Sequence, residues 1–327
     1  MNILVTGSSG HLGEGLMRVL RARGTSVCGL DIKPGRFTDR IGSIANRPLV
    51  RELMQDVDAI IHSATLHKPH VGTHDKSDFI ETNINGTLVL LEEAVAADIG
   101  TFVFTSTTSA FGGALTPPSG RPAAWIDEAV VSVPKNIYGV TKTAAEDLCH
   151  LFNRQAGLNA IVLRTSRFFP EEDDNRAIRD GFSDQNAKAN EFLYRRVDIE
   201  DVVSAHLNAI DHAAIVGFGK YIISATTPFE RENLHALRLD PASVVEMHVP
   251  GFQKIYDSKG YGMFSSIDRI YDNSAARRDL NWKPTYDFAR ILNQVDSGSP
   301  IGSDLARNIG KLGYHDEKFE DGPYPVE

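Results

Sequence analysis

The sequence predicts an α/β fold: a Rossmann-like doubly wound parallel sheet with a smaller C-terminal substrate-binding lobe. Three observations carry that prediction. Short apolar runs alternate with stretches of helical apolar spacing over the first half of the chain, a glycine-rich turn joins the first run to the first helical stretch, and the rhythm changes after Arg164.

The elements follow in order. Ile3 to Val5 is a short apolar strand, followed by a turn and by Leu12 to Leu20 with apolar residues at helical spacing, up to Arg23-Gly24. Ser26 to Leu30, Ala59 to His62 and Phe102 to Thr105 read as further strands, with Thr87 to Ala97 a helix between the last two. Strands alternating with helices imply a parallel sheet covered on both faces. Tyr138 to Ala156 reads as one long helix closed by Gly157, and Ala160 to Leu163 returns as a strand. Beyond Arg164, Glu171 to Arg176 is charged and without period, and short strands are expected at Tyr221 to Ile223 and Val244 to Val249. Residues 1–165, with returning segments about 197–225, are therefore assigned to a dinucleotide-binding domain. Residues about 166–196 and 226–297 form the lobe, and 298–327 a polar tail given no role.

Composition limits the function. The 327 residues are 42% hydrophobic and 24% charged, the proportions of a folded globular protein. A net charge of −9 offers no electrostatic support for a nucleic-acid or anionic-membrane partner. No apolar run approaches the ~20 residues needed to span a bilayer. Cys28 and Cys149 make no disulfide framework, and Met1 leads straight into an apolar strand, so a cytoplasmic location is expected.

The turn Thr6-Gly7-Ser8-Ser9-Gly10-His11-Leu12-Gly13 lies between the first strand and the first helix. Glycines there let the backbone approach a pyrophosphate, and the helix N-terminus faces its charge. Gly7, Gly10, His11, Leu12 and Gly13 are the candidate contacts. Asp31 ends the second strand, where a carboxylate accepts adenosine ribose hydroxyls and repels a 2′-phosphate, so NAD is favoured over NADP. Lys33 and Arg36 nearby would still accommodate that phosphate.

Further motifs are His62-Ser63-Ala64, Asn83-Ile84-Asn85-Gly86-Thr87, Thr105-Ser106-Thr107 with Phe111-Gly112, Tyr138-Gly-Val-Thr-Lys142 and Leu280-Asn-Trp-Lys-Pro284. With the glycine turn, they resemble the extended short-chain dehydrogenase/reductase family, the NAD-dependent epimerase/dehydratase group, over nearly the whole chain. The resemblance implies catalytic roles for Thr107, Tyr138 and Lys142, cofactor contacts at Ser63, Ala64 and Lys142, and Ser106 as a neighbour of the reacting oxygen. The spacing has a chemical reason: Tyr138 and Lys142 are four apart on one helix, which sets an ammonium beside the phenol and favours phenolate from a reference pKa of ~10. Such a base removes a proton from a substrate hydroxyl while hydride leaves the same carbon. The resemblance also implies a homodimer paired through the Thr87 to Ala97 and Tyr138 to Ala156 helices.

Other residues leave alternatives open. Asn83 either steadies the active-site helix or caps a helix. The cluster His62, His67, His70 and His74 has no metal-ligand spacing, so no metal is expected; His67 and Lys68 are expected at the substrate mouth instead. Dehydratases of the group carry Asp-Glu where this chain has Thr108 and Ser109, which disfavours dehydration. Nucleotide-sugar epimerases carry Asn, Arg and His where this chain has Arg167, Tyr194 and Asp198, and Asp201 is retained. Arg167, Arg195 and Arg196 would still bind an anion. The stretch Arg164 to Ser183 is similar to uronate dehydrogenases, in which an Arg aligned with Arg176 meets the sugar acid; the alternative is a surface pairing of Arg176 with Glu171, Glu172 or Asp173. Net NAD-dependent dehydrogenation of a sugar or sugar acid therefore ranks first. A nucleotide-sugar epimerase with retained NAD is the alternative, and a non-catalytic nucleotide sensor the third reading.

Overall fold

The computed structural model describes residues 1–313 together with 315, 319, 322 and 324. Strand β1 (Asn2–Thr6) leads into helix α1 (His11–Ala22), then β2 (Ser26–Asp31), β3 (Arg40–Ile41), α2 (Arg47–Leu53), β4 (Ala59–His62), α3 (Lys76–Phe79) and α4 (Gly86–Ala96). Next come β5 (Thr101–Thr107), β6 (Ala124–Ile126), α5 (Ile137–Ala156) and β7 (Asn159–Thr165). The strands of the main sheet pair in parallel in the order β3-β2-β1-β4-β5-β7-β8, with β8 at Phe218–Ile223. Strand order reverses between β1 and β4, which opens a crevice at their C-terminal ends.

The strands are nearly all apolar because both faces are covered. Ile3, Val5, Ile61, Val103 and Ile161 point to one face, beneath α1 and α8 (Ile199–Val216), while Leu4, Ile60, Phe102, Phe104 and Val162 point to the other, against α4 and α5. Helix α5 starts where Asn136 accepts a hydrogen bond from the Gly139 amide (3.1 Å) and ends at Gly157 with φ +70°.

The lobe has its own core. Helices α6 (Arg176–Gly181), α7 (Asp184–Glu191), α9 (Pro241–His248) and α10 (Phe252–Lys259) precede strand β9 (Arg269–Tyr271), which pairs in parallel with β6 in a separate two-stranded sheet. Phe252, Tyr256, Phe264, Ile270 and Phe288 pack there with α12 (Phe288–Ser297), which follows α11 (Ser274–Asp279). Residues 244–249 are not the expected strand: Asp240 accepts from the Ser243 amide, Pro241 occupies the first turn, and the segment runs as α9. A cap and a proline outweigh three valines here. Within the C-terminal segment, α13 (Asp304–Ile309) packs on α1 and α8. Among the described residues no helix is long and apolar enough to cross a membrane.

Trp282 ties the C-terminal segment to the main domain. Its ring is buried, and Nε1 donates to the Asp201 carbonyl (3.1 Å) and to Ser204 Oγ (3.0 Å) on α8. Trp282→Ala is expected to lower stability by about 3–5 kcal/mol, the usual range for a buried Trp truncated to Ala. Equilibrium unfolding in urea measures this; a loss under about 1 kcal/mol would rule out the tie.

Candidate active site

A single cavity of about 800 Å³ runs along the crevice, from the glycine turn, past the end of β5, to an arginine-lined wall contributed by the lobe.

At the first end the backbone is closely packed. Gly7 has φ +74°, and a Cβ there would lie 2.7 Å from the Ala64 amide; a Cβ on Gly13 would lie 1.9 Å from the Gly7 carbonyl. Only glycine fits either position. Helix α1 follows Gly10 without a side-chain cap, and the residues of its first turn line the cavity, where a helix N-terminus favours a phosphate. Asp31 lines the same end and accepts from the Ser9 amide (2.9 Å) and the Lys33 amide (2.9 Å), which fixes its carboxylate. Ser63 donates to the Thr6 carbonyl (2.7 Å), and Ala64 closes against Gly7. His11 and Leu12 also line this end. The uncapped helix, the glycine cradle and the fixed carboxylate fit a dinucleotide.

In the middle, Thr107 at the end of β5 and Tyr138 in the first turn of α5 both line the cavity. The Thr107 hydroxyl accepts from the Ser109 amide (3.0 Å) and hydrogen-bonds the Tyr138 phenol. Burial pushes that phenol up to about 12, against the lowering effect of Thr107.

Lys142 departs from expectation. Its amine donates to the Thr105 carbonyl (2.6 Å), lies 3.9 Å from the centre of the Phe104 ring, and is not part of the cavity wall. The ammonium therefore does not favour phenolate here. The buried amine turns to the nearest strand carbonyl, and burial pulls it down to about 7, partly offset by Glu146.

Ser106 lines the cavity, but its hydroxyl donates to Glu146 Oε1 (2.6 Å), so it is committed inward rather than to a ligand. Glu146, one helical turn beyond Lys142, is fully buried and also accepts from Arg164 Nε (2.9 Å) and Nη2 (2.6 Å), with Lys220 at 3.1 Å. Sequence reasoning missed it, although its spacing after Tyr138 and Lys142 places all three on one helix face.

Asn83 lies in a π-helical turn, Ile80–Asn85, between α3 and α4. It accepts from the Leu66 amide (2.9 Å) and donates to the Leu66 carbonyl (2.9 Å) and Thr141 Oγ1 (3.0 Å), so it pins the cavity loop to the catalytic helix rather than capping a helix. His62 bridges Thr6 and Thr87 and is held in its neutral form by burial and by Lys142.

The far wall holds His67, Lys68, Arg167, Asp174, Arg195, Arg269 and Tyr271. Arg176 is elsewhere: its side chain is 74% exposed on α6, 3.5 Å from Asp180, and does not line the cavity. A helix start on the surface turns it outward, away from the cavity it was expected to line. Arg269 and Tyr271 were missed because strand β9 lies about a hundred residues beyond Arg167 and carries no motif. The tail also reaches the site, with the Leu312 amide donating to His11 Nε2 (3.2 Å) and Tyr324 in the wall. Among the described residues no group of three or more His, Cys, Asp or Glu is placed to hold a metal ion.

A profile of the NAD dependent epimerase/dehydratase family matches residues 3–223. The chain belongs to that family. The UDP-glucose 4-epimerase of Rhizobium meliloti (strain 1021) is 26% identical over 329 aligned positions, covering 90% of this chain and 95% of that relative. The dTDP-glucose 4,6-dehydratase of Streptomyces niveus is 31% identical over 201, covering 54% of this chain and 57% of its own. Among solved structures, UDP-N-acetylglucosamine 4-epimerase from Bacillus cereus shares the fold at 19% identity and TM-score 0.63, covering 91% of this chain and 98% of that one. A short-chain dehydrogenase/reductase superfamily protein from Agrobacterium tumefaciens, with bound NAD, shares it at 21% identity and TM-score 0.65, covering 91% and 96%. This NAD-dependent epimerase/dehydratase family member thus has the Rossmann-like sheet and the extended short-chain dehydrogenase/reductase character that its motifs imply.

The hydrogen bond from Thr107 lowers the Tyr138 pKa, so its removal raises it. Thr107→Val should move the rising limb of the pH profile of hydride transfer upward by about half to one unit, taking ~1 kcal/mol for a hydrogen bond and 1.36 kcal/mol per unit. A slower enzyme with an unshifted limb would detach Thr107 from the base.

Proposed function

We propose that this chain oxidises and re-reduces one carbinol carbon of a nucleotide-linked sugar, inverting it, with NAD retained between the two half-reactions. The observation that carries the reading is the hydroxyl pair Thr107 and Tyr138, standing in one cavity between the dinucleotide cradle and the arginine-lined wall. Full-length similarity to a protein named UDP-glucose 4-epimerase supports it.

The residues divide the work. The α1 amides and Gly7 would hold the pyrophosphate of NAD, and Asp31 its adenosine ribose. NAD, when bound, supplies the hydride acceptor. Tyr138 takes the proton from the reacting hydroxyl and returns it on the way back, and Thr107 donates to the same oxygen. Thr108 and Ser109 supply neither the acid nor the base that water elimination requires.

A second reading, net dehydrogenation of a sugar or sugar acid, draws on Arg167, a guanidinium suited to a carboxylate where epimerases of the group carry Asn.

Protein purified with its NAD should interconvert UDP-glucose and UDP-galactose without added cofactor. Tyr138→Phe should lower that rate by about 10²–10⁴, the usual contribution of a general base, while NAD stays bound. NADH released from free NAD on a uronate or aldose, with UDP-glucose untouched, would select the second reading; undiminished turnover by Tyr138→Phe would remove the base from both.

A further inference from the structure

The lobe end of the cavity is a cationic wall that the chain fills with one of its own carboxylates. Lys68 is paired with Asp174; Arg167 lies 3.2 Å from Asp174, 3.7 Å from Asp173, and donates to the Glu172 carbonyl (2.7 Å). Arg195 lies 2.5 Å from Asp173 and 2.6 Å from Glu191, and Arg196 lies 2.6 Å from Glu191. Asp173 and Glu191 are nearly inaccessible, at 3% and 1% exposure, and hydrogen-bond each other, so they are structural counter-charges beneath the wall. Of these three acids only Asp174 lines the cavity.

Without Asp174, four cations, Lys68, Arg167, Arg195 and Arg196, face two carboxylates that share a hydrogen bond. The pairing is also incomplete as it stands: Arg167 Nε, 3.9 Å from Glu191 Oε2, and Arg195 Nε are both buried with no hydrogen-bond partner. Unmet guanidinium donors beside an excess of positive charge are what a phosphate or carboxylate satisfies. Although burial works to raise it, Lys68, Arg167 and Arg195 hold Asp174 well below the usual carboxylate range, so it sits there as an anion. Its neighbours are anchored separately: Asp173 Oδ1 accepts from the Asn175 amide (2.7 Å), and Asn175 caps α6 through the Ala177 amide (3.0 Å). Asp174 also hydrogen-bonds the Tyr324 phenol, so rotation of its side chain away from that phenol and from Lys68 and Arg167 would vacate the position.

We propose that Lys68, Arg167 and Arg195 form an oxyanion-binding subsite for the phosphate or carboxylate of the substrate, and that Asp174 is its internal occupant, displaced when substrate binds. The proposal rests on the reading of this cavity as a sugar-substrate site. It adds an inverse expectation, that neutralising a carboxylate in the wall strengthens anion binding.

Calorimetry on the NAD-loaded protein tests it, with UDP and glucuronate as probes and uridine as the uncharged control. Asp174→Asn should tighten UDP, glucuronate or both by about tenfold and leave uridine unchanged; which probe responds tells phosphate from carboxylate. Lys68→Met, on a half-exposed side chain, should weaken the same probe about tenfold with Asp174 intact and the urea unfolding midpoint unmoved. Unchanged affinity in both variants, or no binding of either anion to any of the three proteins, overturns the subsite. Weaker binding by Asp174→Asn also overturns it, and would instead make Asp174 an acceptor for substrate hydroxyls. The two readings fail separately: tighter UDP without epimerisation of UDP-glucose removes the epimerase and keeps the subsite, whereas epimerisation with anion affinities unmoved does the reverse.

Discussion

The carboxylate of Glu146 is the contact on which the placement of Tyr138 beside Thr107 depends. It is fully buried on α5 and gathers donors from three strands: Ser106 on β5, Arg164 on β7 and Lys220 on β8. A buried carboxylate is tolerated when it is paired and hydrogen-bonded, and removing Arg164, which grips both of its oxygens, would strand charge in the core. Because each partner comes from a different strand, the cluster fixes how far α5 slides along the sheet. That register brings Tyr138, two turns earlier on the same face, to the end of β5 and within reach of Thr107. The buried ion-pair cluster and the proposed base thus share one helix face.

Part of this arrangement is legible in the sequence and part is not. The parallel sheet and the glycine turn were readable, because strand burial on two faces and a backbone approach of the kind seen at Gly7 and Gly13 leave few residue choices. Thr107 and Tyr138 were placed by their motifs. The direction of the Lys142 amine was not, because helical spacing gives a shared face but says nothing of a strand carbonyl 2.6 Å away. Ser106 was placed in the cavity wall, but the commitment of its hydroxyl to Glu146 depends on a tertiary pair 40 residues apart. Arg176 was read from a local pattern of residue types, and the cap at Asn175 turned it to solvent. The arginine at 269 reaches the cavity through a small sheet that joins β6 to β9, a long-range pairing with no local period.

The overall charge of −9 gives no hint of the wall built by Lys68, Arg167, Arg195 and Arg269. Net charge describes the field far from the molecule, whereas a bound anion responds to the few groups within a Debye length of about 8–10 Å. Besides Glu191 on α7, the acids that balance the wall come from the charged, unpatterned stretch after Pro170. In the fold it supplies Asp173 and Asp174 as partners for the arginines, and the stretch is ordered by those ion pairs rather than by periodicity.

The shifts at Tyr138 and Lys142 have one cause and a joint consequence. Burial raises the phenol to about 12 and lowers the amine to about 7, so each group is moved toward its uncharged form. A neutral phenol with a neutral amine holds the same number of protons as a phenolate with an ammonium, so passing between the two states needs no proton from solvent. The ionic state gains Coulomb energy only when the groups are close, and in a site that excludes water that gain is larger than at the surface. With the Lys142 amine drawn to the Thr105 carbonyl, the gain is not realised and the phenol stays protonated. Base strength in this site is therefore set by where one amine points, and Glu146, which pulls the Lys142 pKa upward from the next turn of the same helix, biases that amine toward the charged form the phenolate needs.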